Sequence, residues 1–158
     1  MIDLRFPTAL QMVLSVALGE RDHFRVTSQS LADGLGANAA LIRRLMGPLG
    51  RDGILHGIVG KGGGIKLGRA AEQITLRDIY YSALGGKPAL TPRPDLPAKC
   101  RVSANFGDLF AEISLDVEGV ILGRLSERTV AQALDRILEI DGQSGAAGSV
   151  FERLPEFA

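Results

Sequence analysis

The apolar positions fall into blocks whose spacing changes along the chain. Leu10, Val13, Leu14, Ala17 and Leu18 recur at i, i+3, i+4, i+7 and i+8, which predicts a helix over about residues 7–20 with Pro7 in its first turn. The stretch ERDHFRVT breaks that period. Ser28 or Thr27 can cap a short second helix over 28–35 that buries Leu31, Ala32 and Leu35, and Gly36 can end it in the left-handed region. Asn38 can cap a third helix with Ile42, Leu45, Met46 and Leu49 on its apolar face. Two helices separated by about three residues, with glycine at the break, predict a helix-turn-helix. The outer face of the third helix then carries Asn38, Ala39, Ala40, Arg43 and Arg44. Small residues let a backbone approach a groove, and arginine grips phosphate or a guanine edge with paired hydrogen bonds. A solvated charged face is the alternative. Pro48 lies further along, and an interior proline costs about 3 kcal/mol or more, so a kink or early end near Met46 is expected.

The spacing changes again after residue 53. ILHGIV and IKLG read as two short strands joined by GKGG, a hairpin whose glycines supply positive φ at the tip. A helix-turn-helix followed by a basic hairpin is a winged helix. A phosphate-binding loop needs G-x-x-x-x-G-K-[ST] between strand and helix; here Lys61 precedes the glycines and no Ser or Thr follows, so the wing is favoured. Thr75 and Asp78 have capping-box spacing at the start of a fourth helix over 75–84. Four prolines between 87 and 97 predict a linker or surface loop. Beyond it Phe106, Leu109, Phe110, Ile113, Val117, Val120 and Ile121 recur at helical spacing, predicting a long helix over about 104–124. Gly119 and Gly123 suit close approach of a partner helix there, or else mark a helix that stops near Glu118. Thr129 and Gln132 cap a last helix to about 139, and the remainder reads as a frayed tail.

Composition narrows the function classes. The 158 residues are 46% hydrophobic with no tryptophan, enough for one aliphatic core domain. No apolar run of about 18 residues is present, and no secretory signal is recognisable, so a cytoplasmic protein without a membrane span is expected. The zero net charge hides an asymmetry: residues 1–87 hold 11 Lys and Arg against 7 Asp and Glu, and 88–158 hold 7 against 11. A basic front half suits a face shown to a polyanion, though an imbalance of this size also arises by chance. With no Ser/His/Asp set, metal-ligand cluster or paired carboxylates, and isolated histidines at 23 and 56, an enzyme is not expected.

The segment SLADGLGANAALIRRLMGPLGRDGILHGIVGKGGGIKLGRAAEQITLRDIYYSALGG resembles the Rrf2 family of bacterial transcriptional regulators. It shares the small-residue start of the recognition helix, the glycine-rich wing and an ITL-x-D-[IV] step into the next helix, and residues 1–140 fit the family layout. The resemblance implies a mainly α fold with a small β-hairpin: a winged helix-turn-helix over 1–86, a proline-rich loop over 87–103, dimerisation helices over 104–140 and a flexible tail over 141–158. It implies a homodimer that binds double-stranded promoter DNA, usually as a repressor. Carried over, DNA contacts fall on Ser28, Gln29, Asn38, Ala39, Ala40, Arg43, Arg44, Lys61, Gly62, Gly63 and Lys66. The dimer contacts fall on Phe106, Leu109, Phe110, Ile113, Val117, Val120 and Ile121. Val59 stands where the family often has arginine, a departure that favours the alternative of a protein-binding winged helix.

Cluster-binding members present three cysteines before the long helix; this chain has only Cys100 there, so no iron–sulfur cofactor and no metal are expected. Lys99, Arg101 and the helix start that follows would lower the thiol pKa, making Cys100 a candidate oxidant or electrophile sensor, with an intersubunit disulfide open to it. An inert cysteine is the alternative. A small-molecule effector pocket among Tyr80, Tyr81, Phe106 and Phe110 is a third reading.

Overall fold

The structure, a computed structural model, describes residues 3–91 and 99–143. Helix α1 (Arg5–Arg21) is the centre of the core and buries Ala9, Met12, Val13, Val16 and Ala17. Thr27 caps α2 (Ser28–Leu35): its side chain accepts from Ser30 N while Ser30 Oγ accepts from Thr27 N. That reciprocal pair satisfies two amides at the helix start that lack intrahelical partners. Gly36, at φ 56°, closes α2, and three residues later α3 (Ala39–Arg51) begins under an Asn38 cap that accepts from Ala40 N at 2.8 Å. The helix-turn-helix is present as expected.

The expected early end of α3 near Met46 does not occur. The helix runs through Pro48 to Arg51, with Ile42, Leu45 and Leu49 buried on one stripe. Pro48 deprives only the Arg44 carbonyl of its donor. Core burial of Leu45 and Leu49 on either side is worth about 1.5–3 kcal/mol each, enough to offset the proline.

Strands β1 (Leu55–Ile58) and β2 (Gly64–Leu67) pair antiparallel, with Leu55 opposite Leu67 and His56 opposite Lys66. Leu55 and Leu67 are buried while His56 and Lys66 face out, the alternation of a hairpin with one wet face. Ile65 N donates to Val26 O, so the segment entering α2 lies alongside β2. A Cβ on Gly63 would collide with the Ile58 carbonyl, which is why the turn requires glycine there.

A single 3₁₀ turn (Ala71–Gln73) leads to α4 (Leu76–Leu84), capped reciprocally by Thr75 and Asp78 and ended by Gly85 at φ 67°. Helix α5 spans Arg101–Ser126, longer than expected at both ends, and passes through Gly119 and Gly123 without stopping. Helix α6 (Val130–Gln143) follows a Thr129–Gln132 cap and extends past the expected 139. Its Val130 and Leu134 enter the same core as α1, α3 and α4. The turn before it is tied down by Leu76 N donating to Arg128 O and Val130 N to Ile74 O. No helix among the described residues is long and apolar enough to cross a membrane. Residues 92–98 of the proline-rich loop and 144–158 of the tail lie outside the described residues.

Candidate nucleic-acid interface

The first turns of α3 present Asn38, Ala39, Ala40, Arg43 and Arg44 to solvent. Their exposure follows from the helix period: Ile42, Leu45 and Leu49 take the inner face, leaving these positions outside. Neither Arg43 nor Arg44 has a carboxylate partner among the described residues. The same holds for Lys61 and Lys66 on the hairpin, both exposed. At the tip, Gly60 and Gly62 have φ of 110° and 92°, and Val59 is 99% exposed. An apolar side chain fully in water at the tip makes no contribution to the fold.

Ser28 and Gln29 are exposed in the first turn of α2. Because Thr27 takes the cap, the Ser28 hydroxyl has no hydrogen bond among the described residues, whereas the Gln29 amide donates to Asp33 Oδ1 at 2.8 Å. Gly63 differs from the other tip residues. It is buried, and its N–H donates to the Gly60 carbonyl at 2.9 Å, which closes the turn. Arg25, exposed beside Gly64 at the turn end of the hairpin, is a cation that sequence reasoning missed. It lies outside both the helix-turn-helix and the wing pattern, and only the Val26–Ile65 hydrogen bond brings it there.

The long helix carries an unusual load of exposed apolar side chains. At about 100° per residue, Val102, Phe106, Leu109, Ile113, Val117 and Val120 fall within one narrow stripe. Of these only Phe106 is partly covered, stacked on Phe110 with ring centroids 5.7 Å apart. Phe110 and Ile121, at the margin of the stripe, turn half-buried toward the domain. Val102 belongs to the stripe but precedes the expected start of the helix. On the inner face Ser114, buried, donates to Leu90 O at 2.6 Å, and Glu118 Oε2 accepts from Tyr80 Oη at 3.0 Å and Ala89 N at 3.1 Å. These bonds staple α5 to α4 and to the loop after it. Burial and the facing Glu118 push the Tyr80 phenol up to about 12.

Cys100 is exposed and caps α5. Its Sγ accepts from Ser103 N at 3.5 Å and lies 3.4 Å from Ser103 Oγ. Hydrogen bonds from the Ser103 side chain and from backbone amides hold the thiol below its ordinary range. The expected aromatic pocket does not assemble. Tyr80 and Tyr81 are adjacent on α4 and so diverge: Tyr80 is buried edge-on against Phe6, with ring centroids 5.1 Å apart. Tyr81 instead lines a cavity of about 440 Å³ with Asp52, Arg69, Arg77 and Asp78, which neither Phe106 nor Phe110 reaches.

A helix-turn-helix with a cationic outer face, followed by a glycine-tipped wing, defines a winged-helix DNA-binding protein. The profile of the Rrf2 family, described as iron-dependent transcriptional regulators, matches residues 2–136, and the chain belongs to that family. It is thus a DNA-binding transcriptional regulator, in a family of regulators and not of enzymes. Among solved structures it is similar to IscR of T. potens, at 16% identity over 96% of both chains with a TM-score of 0.63. It is also similar to CymR, the global cysteine regulator of B. subtilis, at 20% identity over 86% of this chain and 97% of that one, TM-score 0.59. A Lactobacillus plantarum protein assigned as a transcriptional regulator matches at 23% identity over 90% and 99%, TM-score 0.68. A search of curated proteins found no match.

The iron named in the family's description finds no fitting donor set here. The chain has one cysteine, and no three His, Cys, Asp or Glu side chains converge among the described residues. One thiolate does not hold an iron–sulfur cluster.

Proposed function

We propose that the protein is a homodimeric, sequence-specific repressor that responds to a thiol-directed signal at Cys100 without an iron–sulfur cluster. The reading end of α3 (Asn38, Ala39, Ala40, Arg43 and Arg44) enters the major groove of promoter DNA. Ser28 and Gln29 meet the backbone at the start of α2, and Lys61, Gly62 and Lys66 meet it from the wing. The stripe on α5 pairs with its copy in a second subunit, and the pairing sets the distance between the two reading helices. The observation that carries this reading is the set of four exposed cations, Arg43, Arg44, Lys61 and Lys66, without acidic partners on the surface expected to face DNA. Cations left unpaired by the fold are available to phosphate and base edges.

Gel mobility shift on the upstream region of the protein's own gene tests it. The parent protein shifts that fragment and weakens steeply with added salt, because each phosphate contact releases a counterion. The Arg43→Glu/Arg44→Glu variant abolishes the shift while melting like the parent. A variant that binds with parental affinity removes these residues from the interface.

A further inference from the structure

A cleft of about 580 Å³ opens where the start of α1, the second half of α3 and the end of α4 meet. Arg5, Arg44, Arg51 and Lys87 line it, and no acidic residue does. Cations near helix C-termini often serve the last carbonyls of the helix. Here backbone amides already do that. Gly85 N donates to Ser82 O and Gly86 N to Tyr81 O at the end of α4, and Asp52 N donates to Pro48 O and Ile54 N to Leu49 O at the end of α3. Arg5 is committed to Asp3, which it meets through several hydrogen bonds of 2.6–3.0 Å. Arg51 reaches Asp52 at 3.2 Å, but its side chain is 70% exposed. Arg44 and Lys87 have no acidic partner among the described residues. Two of the cleft's four cations, Arg44 and Lys87, are therefore left without a carboxylate to offset them, and a third, Arg51, shares its partner with solvent.

Its position says what the charge is for. Arg44, Pro48 and Arg51 lie at i, i+4 and i+7, on one line down α3, and Arg44 is also the last residue of the reading end. Arg44 and Arg51 stand about 10 Å apart along the axis, so one strand can pass from the first to the second. The Pro48 ring between them has no N–H and adds neither charge nor donor. We propose that this cleft is a further contact to the DNA backbone, in which Arg44, Arg51 and Lys87 hold phosphates flanking the segment read by the start of α3. The inference rests on the DNA-binding reading above and extends its footprint beyond the helix-turn-helix and wing.

The test is fluorescence anisotropy of the full chain with two labelled duplexes, the upstream region of its own gene and a scrambled sequence, over a salt series. Arg51→Gln/Lys87→Gln removes two phosphate contacts and makes the log–log salt slope shallower by about 1.8. Affinity lost between about 50 and 200 mM salt then shrinks about twelve-fold. The change is the same on both duplexes, because phosphate contacts carry no sequence information. Arg124→Gln/Arg136→Gln, two charges removed from α5 and α6, leaves the slope unaltered. Thermal melting of both variants reports that they fold. A parental slope in the Arg51/Lys87 variant, or an equal change in the Arg124/Arg136 variant, overturns the cleft and leaves DNA binding intact. A parent that binds neither duplex at low salt overturns both. Inorganic phosphate that raises the parent's melting temperature but not the variant's, with the slope unmoved, makes the cleft a free-anion pocket and likewise overturns the proposal.

Discussion

The stripe on α5 makes dimerisation open to a quantitative test through Leu109→Glu. Val102 is 72% exposed, Leu109 54%, Ile113 46%, Val117 38% and Val120 67%, together roughly 2.8 side chains of apolar surface left in water. At about 2 kcal/mol per side chain, covering them yields about 5–6 kcal/mol per subunit and about 11 kcal/mol for a symmetric pair. That is comparable to the cost of association, about 4–15 kcal/mol, so the balance is sensitive to a single position. Glutamate at 109 forfeits about 1 kcal/mol in each subunit and places two carboxylates in the seam, each costing several kcal/mol to desolvate unpaired. Glu112 and Asp116, three and seven positions along on the same side, add repulsion. A net loss of about 4 kcal/mol or more weakens the dimer about a thousandfold. Sedimentation velocity at micromolar concentration then shows a monomer. Leu115→Glu is the control. Leu115 is also exposed but lies about 160° round the helix from the stripe, so the dimer survives its replacement. A dimer that persists in Leu109→Glu, or one that Leu115→Glu breaks equally, would falsify this placement of the seam.

The Cys100 thiol, held low by Ser103, reacts with iodoacetamide at neutral pH faster than an ordinary exposed cysteine, and Ser103→Ala slows it; equal rates refute the cap as the cause. Cys100→Ser makes DNA binding insensitive to peroxide, and sensitivity retained in that variant removes the thiol from signalling. The Tyr80 phenol is raised in the folded state, so its hydrogen bond to Glu118 stabilises fully below the unfolded value near pH 10 and is lost as pH climbs toward about 12. Tyr80→Phe costs about 1–3 kcal/mol at pH 7 and flattens that alkaline decline in denaturant melts; an unchanged decline shows that another group is responsible.

Local chemistry made most of the elements legible in the sequence. The Thr27, Asn38, Thr75 and Thr129 caps and the Gly36 stop each depend on a few neighbouring residues, so the helix starts at 28, 39, 76 and 130 follow from reading them. The hairpin followed from alternation and a glycine tip in the same way. Only packing decided the rest. Pro48 breaks a local rule, and the helix continues because Leu45 and Leu49 are fixed in the core on either side. Seven apolar positions on α5 were readable as helical, but which of them face solvent depended on Ser114 and Glu118 bonding inward to Leu90, Tyr80 and Ala89, partners 24 to 38 residues away. Arg25 joined the hairpin, and Lys87 came to the cleft beside Arg44 and Arg51, through the same kind of long-range contact. Spacing along a chain encodes which side of an element is apolar. Which neighbour covers that side, and which charges are left without a partner, is set by free energies summed over residues distant in sequence, and these appear only when the chain has folded.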